Sequence, residues 1–340
     1  MPSKKKPASV LENPRRTRQS MAVTKAFILG AGLGTRLRPL TAHLPKPLVP
    51  LFHRPLVAWA MDACARAGIR RFAINTHHLP EAWHHFGESL LDARPPPAGA
   101  NGRPAVSRSW EGHAVTLFEE PELLETGGGL KNIAAWTGNE PLLVHNGDVF
   151  STLPLEQLIS AHEASGLPVT IALRSVGSAR HIALDATKTR VTDIRERLGL
   201  AVGTHVFTGI YCVSPEFIGL LPAGEKVSVI PAFLALAQQG RLGALVLDEG
   251  SWLDLGDRHS YLLAHRDLGL GPAIHPLAVV APGASVTSSI VGAGAVIEAG
   301  AIVRDSVIWA ASRIAGDAVL DRCIVCCGQV VHGAHREADL

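Results

Sequence analysis

Residues 25–47 read Lys25-Ala-Phe-Ile-Leu-Gly30-Ala31-Gly32-Leu33-Gly34-Thr35-Arg36-Leu37-Arg38-Pro39-Leu40-Thr41-Ala-His-Leu-Pro45-Lys46-Pro47. The opening Lys25–Leu29 is short and continuously apolar, the pattern of a parallel strand buried on both faces. A loop rich in Gly and Pro follows from Gly30 to Pro50. Glycines after a strand let backbone N–H groups close on phosphate oxygens without Cβ obstruction. The dinucleotide pattern G-x-G-x-x-G fails at Thr35, and no G-x-x-x-x-G-K-[ST] is present. The loop does carry two permanent cations, Arg36 and Lys46, which suit a triphosphate better than a dinucleotide.

Working outward, residues 54–67 space Leu56, Val57, Ala60, Ala63, Cys64 and Ala67 along one helical face that Gly68 ends. Phe72–Asn75 reads as the next strand and Pro80 to about Ala93 as the next helix. This order is a βαβ unit, hence an α/β domain with a Rossmann-like, mostly parallel sheet. Residues 94–104 read as a surface insertion. Further strands are expected at Val115–Glu119, Pro141–His145, Val169–Leu173, Val206–Val213 and Gly243–Leu247. Helices are expected near Leu155–Ala164, Ile230–Gln239 and Asp257–Leu268. Gly269-Leu-Gly-Pro272 then marks a boundary, which divides the chain into a tail (1–20), an α/β domain (21–268) and a second domain (269–340).

Beyond Pro272 the period becomes six. Ile274, Val280 and Val286 are in step; after a four-residue shift so are Ile290, Val296, Ile302, Ile308, Ile314 and Leu320. Small residues, Gly294, Gly300, Ser306, Ser312 and Ala318, follow the members of the second run by four. Neither helix nor ordinary strand has this period; a hexapeptide left-handed parallel β-helix does, at about eighteen residues per coil and about three coils.

The chain has 340 residues, is 47% hydrophobic and 18% charged, and contains no apolar run of the length a membrane span needs. Its net charge of +2 resides in the tail, where Lys4, Lys5, Lys6, Arg15, Arg16 and Arg18 face Glu12 alone. The remainder is slightly acidic, which argues against a nucleic-acid partner; the tail reads as a disordered extension, with Met21 as a candidate start. Five cysteines without a secretory signal indicate a reducing cytoplasm, and Cys323-Ile-Val-Cys326-Cys327 reads as structural thiols.

Asn146-Gly147-Asp148 places a carboxylate at the C-terminal end of a strand, where open α/β sheets bind ligands. Trp252-Leu253-Asp254 supplies a second. Two carboxylates beside a cationic triphosphate loop suggest a Mg²⁺ site, because magnesium takes few protein oxygens and completes its shell with phosphates and water.

The blocks GxGTRLRPLT and PKPL, with LETGGGL, NGD, FTGIY and WLDLGD in order, resemble the sugar-1-phosphate nucleotidylyltransferases, the NDP-sugar pyrophosphorylases. The resemblance implies an NTP and a sugar-1-phosphate as substrates and Mg²⁺ held by Asp148 and Asp254. It implies Arg36 and Lys46 as catalytic cations and Gly30, Ala31, Gly32, Gly34, Thr35, Thr126, Gly127, Gly128 and Asn146 as nucleotide contacts. Thr208, Gly209, Glu196 and Arg197 would take the sugar phosphate. The family's Glu-Lys-Pro is replaced here by Arg195-Glu196-Arg197-Leu198. His77 and His78 read as strand-end residues, because an anionic sugar phosphate hardly needs a base; Trp83, His84 and His85 read as helix packing and surface. The form LETGGG with FTGIY favours a uridylyltransferase acting on an amino-sugar phosphate such as N-acetylmuramate-1-phosphate. The β-helix fits the alternative, a mannose-1-phosphate guanylyltransferase, and a non-catalytic nucleotide-sugar-sensing relative is a third reading. The short β-helix suits capping and homo-oligomerisation more than acyl transfer.

Overall fold

In a computed structural model, which describes residues 22–88, 91–92 and 106–340, the first strand is the centre of the main sheet. The tail, Met21 and the insertion 94–104 lie outside the described residues. The sheet has nine strands: Lys25–Leu29 (β1), Arg71–Thr76 (β2), Leu91–Asp92 (β3), Val106–Trp110 (β4), His113–Glu119 (β5), Leu142–Asn146 (β6), Val169–Arg174 (β7), Val206–Val213 (β8) and Leu242–Val246 (β9). Their order is β9-β7-β8-β6-β1-β2-β5-β4-β3. β1 pairs in parallel with both β2 and β6, and only β4 and β8 run against the other strands. Ala26 and Ile28 enter one core with Val57, Met61, Phe72 and Leu158, while Phe27 enters the opposite core with Val144, Tyr211 and Phe233. Burial on both faces is why the strand is apolar without alternation.

The helices that matter to the site are Leu56–Arg66 (α1), Pro80–Glu88 (α2), Glu125–Asn132 (α3) and Arg258–Asp267 (α4). Expected and observed elements differ mostly by a residue or two at their ends. Departures from expectation include the helix expected from Pro80 to about Ala93, which ends at Glu88 with Leu91–Asp92 paired in the sheet instead, and α3, which forms over LETGGG where no helix is expected. Three consecutive glycines disfavour a helix, but here tertiary packing decides. The amides of Gly127 and Gly128 donate to the Val227 carbonyl at 2.8 and 3.0 Å, and a Cβ on Gly128 would lie 2.3 Å from the Glu225 carbonyl oxygen.

After Pro272 the chain winds into three parallel sheets, a short β-helix of the hexapeptide kind. The coil is seventeen residues, not eighteen: Val279, Val296, Arg313 and Val330 stack in one sheet, and Ile290, Val307 and Ile324 in another. The inward residues are Val291, Ile297, Val303, Ile308, Ile314, Leu320 and Val325. The expected positions Ile290, Val296 and Ile302 therefore stand one residue ahead of the interior, whereas Ile308, Ile314 and Leu320 lie in it. The reason is one five-residue side per coil, closed at a corner where Ser288, Asp305 and Arg322 all take left-handed backbone conformations (φ 47°, 45° and 53°). The small residues that line the interior are Ser289, Ala295, Ala301, Ser306, Ser312 and Ala318. Gly294 and Gly300 instead make left-handed turns (φ 66° and 91°). At the short corner, Ser306 N donates to Ser289 Oγ at 3.0 Å and Cys323 N to Ser306 Oγ at 2.9 Å, a hydroxyl ladder along the axis.

The β-helix docks on the catalytic part through an apolar cluster of Leu37, Leu40, Phe150, Leu255 and Tyr261 with Ile290, Val307, Trp309 and Ile324. Ile290 is thus apolar because it faces this interface. Leu268 and Leu270 pack on the same cluster, and His53 Nε2 lies 2.8 Å from the Pro272 carbonyl, so the boundary segment is held in place. Cys64, Cys212, Cys323 and Cys326 are buried; Cys327 is exposed, against the expectation of a structural thiol.

Candidate active site

The phosphate-type loop leaves β1 at Gly30, whose amide donates to Asn75 Oδ1 at 2.8 Å. A Cβ there would lie 2.6 Å from the Asn75 carbonyl oxygen and 3.0 Å from the Trp83 ring, so β2 and α2 press on bare backbone. Gly34 turns the loop with φ 61°, and Thr41 Oγ1 donates back to its carbonyl at 3.0 Å. Leu37 and Leu40 anchor the far arm in the apolar cluster under the β-helix. The loop then overhangs the C-terminal ends of β1 and β6, as the strand order requires. A cavity of about 470 Å³ opens beneath it.

Ala31, Gly32, Gly34, Thr35, Arg36, Lys46, Thr126, Asn146 and Asp148 line this cavity. Gly30 is buried behind it, and Gly127 and Gly128 are buried in α3. Asp148 follows β6. Asp254 ends the strand Trp252–Asp254, which pairs with Val149–Ser151 so that Asp254 stands opposite Val149. That pairing brings the two aspartates to one ammonium: Lys46 Nζ is 2.6 Å from Asp148 Oδ2 and 3.7 Å from Asp254 Oδ1. Only 6% of the Lys46 side chain is exposed. Arg36, largely exposed, reaches Asp254 Oδ2 at 3.8 Å.

Among the described residues no three acidic, His or Cys side chains gather into a metal cage. Two carboxylates converging on one cation at the edge of a cavity are nevertheless the donor set magnesium uses when phosphates and water complete its shell. The residues fit a divalent metal of that kind.

The opposite wall holds residues that the sequence reading passed over. Asn75, Leu123, Glu125 and Ser228 also line the cavity. Asn75 Nδ2 donates to Glu120 Oε1 at 2.8 Å, and Leu124 N donates to Glu120 Oε2 at 3.1 Å. Burial pushes the Glu120 carboxyl up from its ordinary range, while these donors hold it down in part. One buried carboxylate therefore ties the phosphate-type loop, through Asn75, to the segment that starts α3. Thr126 Oγ1 accepts from Val229 N at 3.0 Å. An Asn ending an apolar strand was the available signal for Asn75; Glu120 offered none without its partners.

Four expected sugar-phosphate residues do not line the cavity. The Thr208 hydroxyl is buried and donates to the Ala172 carbonyl at 2.8 Å. Gly209 acts through its neighbour, since a Cβ there would lie 2.5 Å from Asn146 Nδ2. Glu196 and Arg197 are exposed on the turn after Val191–Ile194, with Glu196 at φ 55°. A local match to a charged tripeptide could not reveal that this turn stands outside the cavity lining. His77 Nδ1 and His78 Nε2 hold the Glu120 and Thr41 carbonyls at 2.8 and 2.7 Å, which agrees with strand-end roles. Trp83 is buried, and His84 and His85 are exposed.

A glycine-rich loop over an α/β sheet, two cations and two converging carboxylates beside the same cavity define an enzyme that handles nucleotide phosphates. The chain belongs to the nucleotidyl transferase family, whose pattern it matches over residues 25–269. It is 29% identical over 318 residues to the mannose-1-phosphate guanylyltransferase of Mycobacterium tuberculosis, covering 87% of this chain and 83% of that protein. It is 26% identical over 251 residues to the UTP–glucose-1-phosphate uridylyltransferase of Synechocystis, covering 71% and 62%. The chain thus spans less than two thirds of several of its relatives. Two solved structures share the fold over 71% of this chain: HddC from Yersinia pseudotuberculosis complexed with GMP-PN (22% identity, TM-score 0.55, 98% of that chain) and the UDP-glucose pyrophosphorylase of Acinetobacter baumanii (20%, 0.57, 92%). The family is that of the sugar-1-phosphate nucleotidylyltransferases expected from the sequence.

Proposed function

We propose that this protein transfers a nucleoside monophosphate from an NTP to a sugar-1-phosphate, with Mg²⁺ held by Asp148 and Asp254. The observation that carries the reading is the convergence of Lys46, Arg36 and both aspartates beside the glycine-lined cavity. A sugar-phosphate oxygen forms the bond to the α-phosphorus as the bond to the pyrophosphate oxygen breaks, and pyrophosphate leaves with that electron pair. The attacking oxygen is already anionic at neutral pH, so no protein base is needed. Lys46 and Arg36 offset the phosphate charge, the loop amides orient the chain of phosphates, and Asn146 bounds the reacting end. Bound Mg²⁺ would supply further charge neutralisation there. Catalysis is then positioning and electrostatics without a covalent enzyme intermediate.

For the substrates, GTP with a mannose-type sugar phosphate is the first reading. Its support is the Mycobacterium tuberculosis relative, whose match is longer than the family region and so reaches into the β-helix. UTP with an amino-sugar phosphate is the second, supported by the LETGGG and FTGIY segments. The five unpaired thiols support a cytoplasmic site of action. No helix among the described residues is long and apolar enough to cross a membrane. Self-association through the β-helix or the catalytic part belongs to the same proposal and is read by light scattering on the eluting protein. The enzymatic test is pyrophosphate release from four NTPs, each offered with a panel of sugar-1-phosphates and Mg²⁺. Release with one pair identifies the substrates. Tight nucleotide binding with no release from any pair would overturn the catalytic reading in favour of a sensing protein.

A further inference from the structure

Lys46 holds a position that a divalent cation and an ammonium cannot share. Its Nζ lies 2.6 Å from Asp148 Oδ2 and 3.7 Å from Asp254 Oδ1, and these are the two carboxylates that fit the metal. Magnesium binds carboxylate oxygens at about 2.0–2.1 Å, so an ion between these aspartates would fall within the space the ammonium now fills. Two like charges of that density repel by many times the thermal energy at such a separation. We infer that Lys46 is an exchangeable counter-ion of the metal site. It neutralises the two aspartates, and it moves to the NTP phosphates as the metal takes its place.

The surroundings allow the head of Lys46 to move and little else. Pro45 and Pro47 fix the backbone on either side, and Lys46–Leu48 forms a tight turn whose residues are all buried. Its Cβ packs so closely under Gly34 that a Cβ on that glycine would lie 3.0 Å away. The stem is therefore anchored beneath the loop, whereas the ammonium opens onto the cavity that Gly32, Gly34 and Thr35 roof. One side chain can reach both the carboxylates and the phosphate position by rotation about its terminal bonds. Arg36 does not substitute for it, being exposed and 3.8 Å from Asp254.

The consequence is reciprocal coupling. An NTP that draws Lys46 away frees the carboxylates for the metal, and a metal that expels Lys46 presents an ammonium to the phosphates. The inference rests on the proposed metal site, but its test does not rest on turnover. Mn²⁺ alone, without nucleotide, is titrated into the full-length protein and followed by electron paramagnetic resonance. Removing the competing cation in Lys46→Gln should tighten Mn²⁺ binding by about tenfold or more. Equal or weaker Mn²⁺ binding by a folded Lys46→Gln protein overturns the inference.

A measurement on the unaltered protein covers the case where that variant does not fold. With ¹⁵N-lysine labelling, the Lys46 ammonium resonance should shift as Mg²⁺ saturates the site, and an unchanged resonance at saturation would overturn the inference. Asp148→Asn, which abolishes half of the acceptor pair, should lose the Mg²⁺-dependent shift. Absence of pyrophosphate release in the separate activity assay would defeat the transferase reading and leave the exchange intact.

Discussion

Trp309 of the β-helix donates its indole N–H to the Tyr261 hydroxyl at 3.0 Å, and Tyr261 in turn donates to the Pro50 carbonyl. Both rings are fully buried. One hydroxyl thus connects the β-helix, α4 and the end of the Gly- and Pro-rich loop that carries Lys46. Tyr261→Phe keeps the ring but leaves a buried indole N–H and a carbonyl without partners. A loss of about 1–3 kcal/mol per unsatisfied group is expected. Denaturant unfolding should show a lower midpoint, and an unchanged midpoint would mean that water replaces the hydroxyl.

The β-helix offers a second measurement of the same kind. Ser306 Oγ accepts from Cys323 N and donates to the Arg304 carbonyl, within the coil corner. Ser306→Ala is expected to lower stability by about 1–3 kcal/mol through the orphaned amide. Ala295→Gly, at an interior position without a hydroxyl, should cost less, about 1 kcal/mol or below. The comparison separates the hydroxyl ladder from simple filling of the coil.

Gly209 tests how closely the cavity is held. It has φ 75°, and an added methyl would lie 2.5 Å from Asn146 Nδ2. Gly209→Ala should displace Asn146, and displacement of about 1 Å can cost about a hundredfold in rate. We expect kcat to fall with the protein still folded, judged by an unchanged circular dichroism spectrum. Unchanged kinetics would show that Asn146 does not position the substrate.

Stability should fall on acidification well before carboxylates titrate. His145, His162 and His265 are buried and held at a pKa of about 4, with burial the main cause in each. His265 is fixed in its neutral form: Nε2 accepts from Phe52 N at 3.0 Å, and Nδ1 donates to the Tyr261 carbonyl at 2.9 Å. From pH 6.5 down to about 4 the unfolded chain takes up these protons and the folded one does not. Each histidine therefore removes about 1.4 kcal/mol of stability per pH unit in that window. Urea unfolding at pH 7, 6 and 5 measures the slope, and equal stability at all three would contradict it.

The main sheet was legible because β1 and its neighbours are buried on both faces, which leaves a continuous apolar run. The β-helix was legible in kind, since Ile308, Ile314 and Leu320 do share the interior. Its register was not, because Ile290 is apolar for a different reason: it faces the cluster around Trp309 and Tyr261. Composition alone cannot separate an inward isoleucine from one buried at an interface. In the cavity, motif residues next to the loop were found, whereas Glu120 acts only through hydrogen bonds between distant segments. Glu196 and Arg197 lie outside the cavity lining for a complementary reason. Their charges suited a phosphate, but the position of their arm is set by contacts that a linear motif does not encode.

The triple glycine of α3 limits where the cavity beside it can change shape. Gly127 and Gly128 have no volume to give, being pressed against residues 225–228, and Gly129 lies against Asn75 and Glu120. Mutation can scarcely remodel that surface without breaking the fold. Leu123, Glu125 and Ser228 border the same cavity and carry replaceable side chains. The helix behind the cavity is therefore frozen, whereas these three lining positions are free. Change in the shape of this cavity would accumulate at those three positions, beside a helix that must remain glycine.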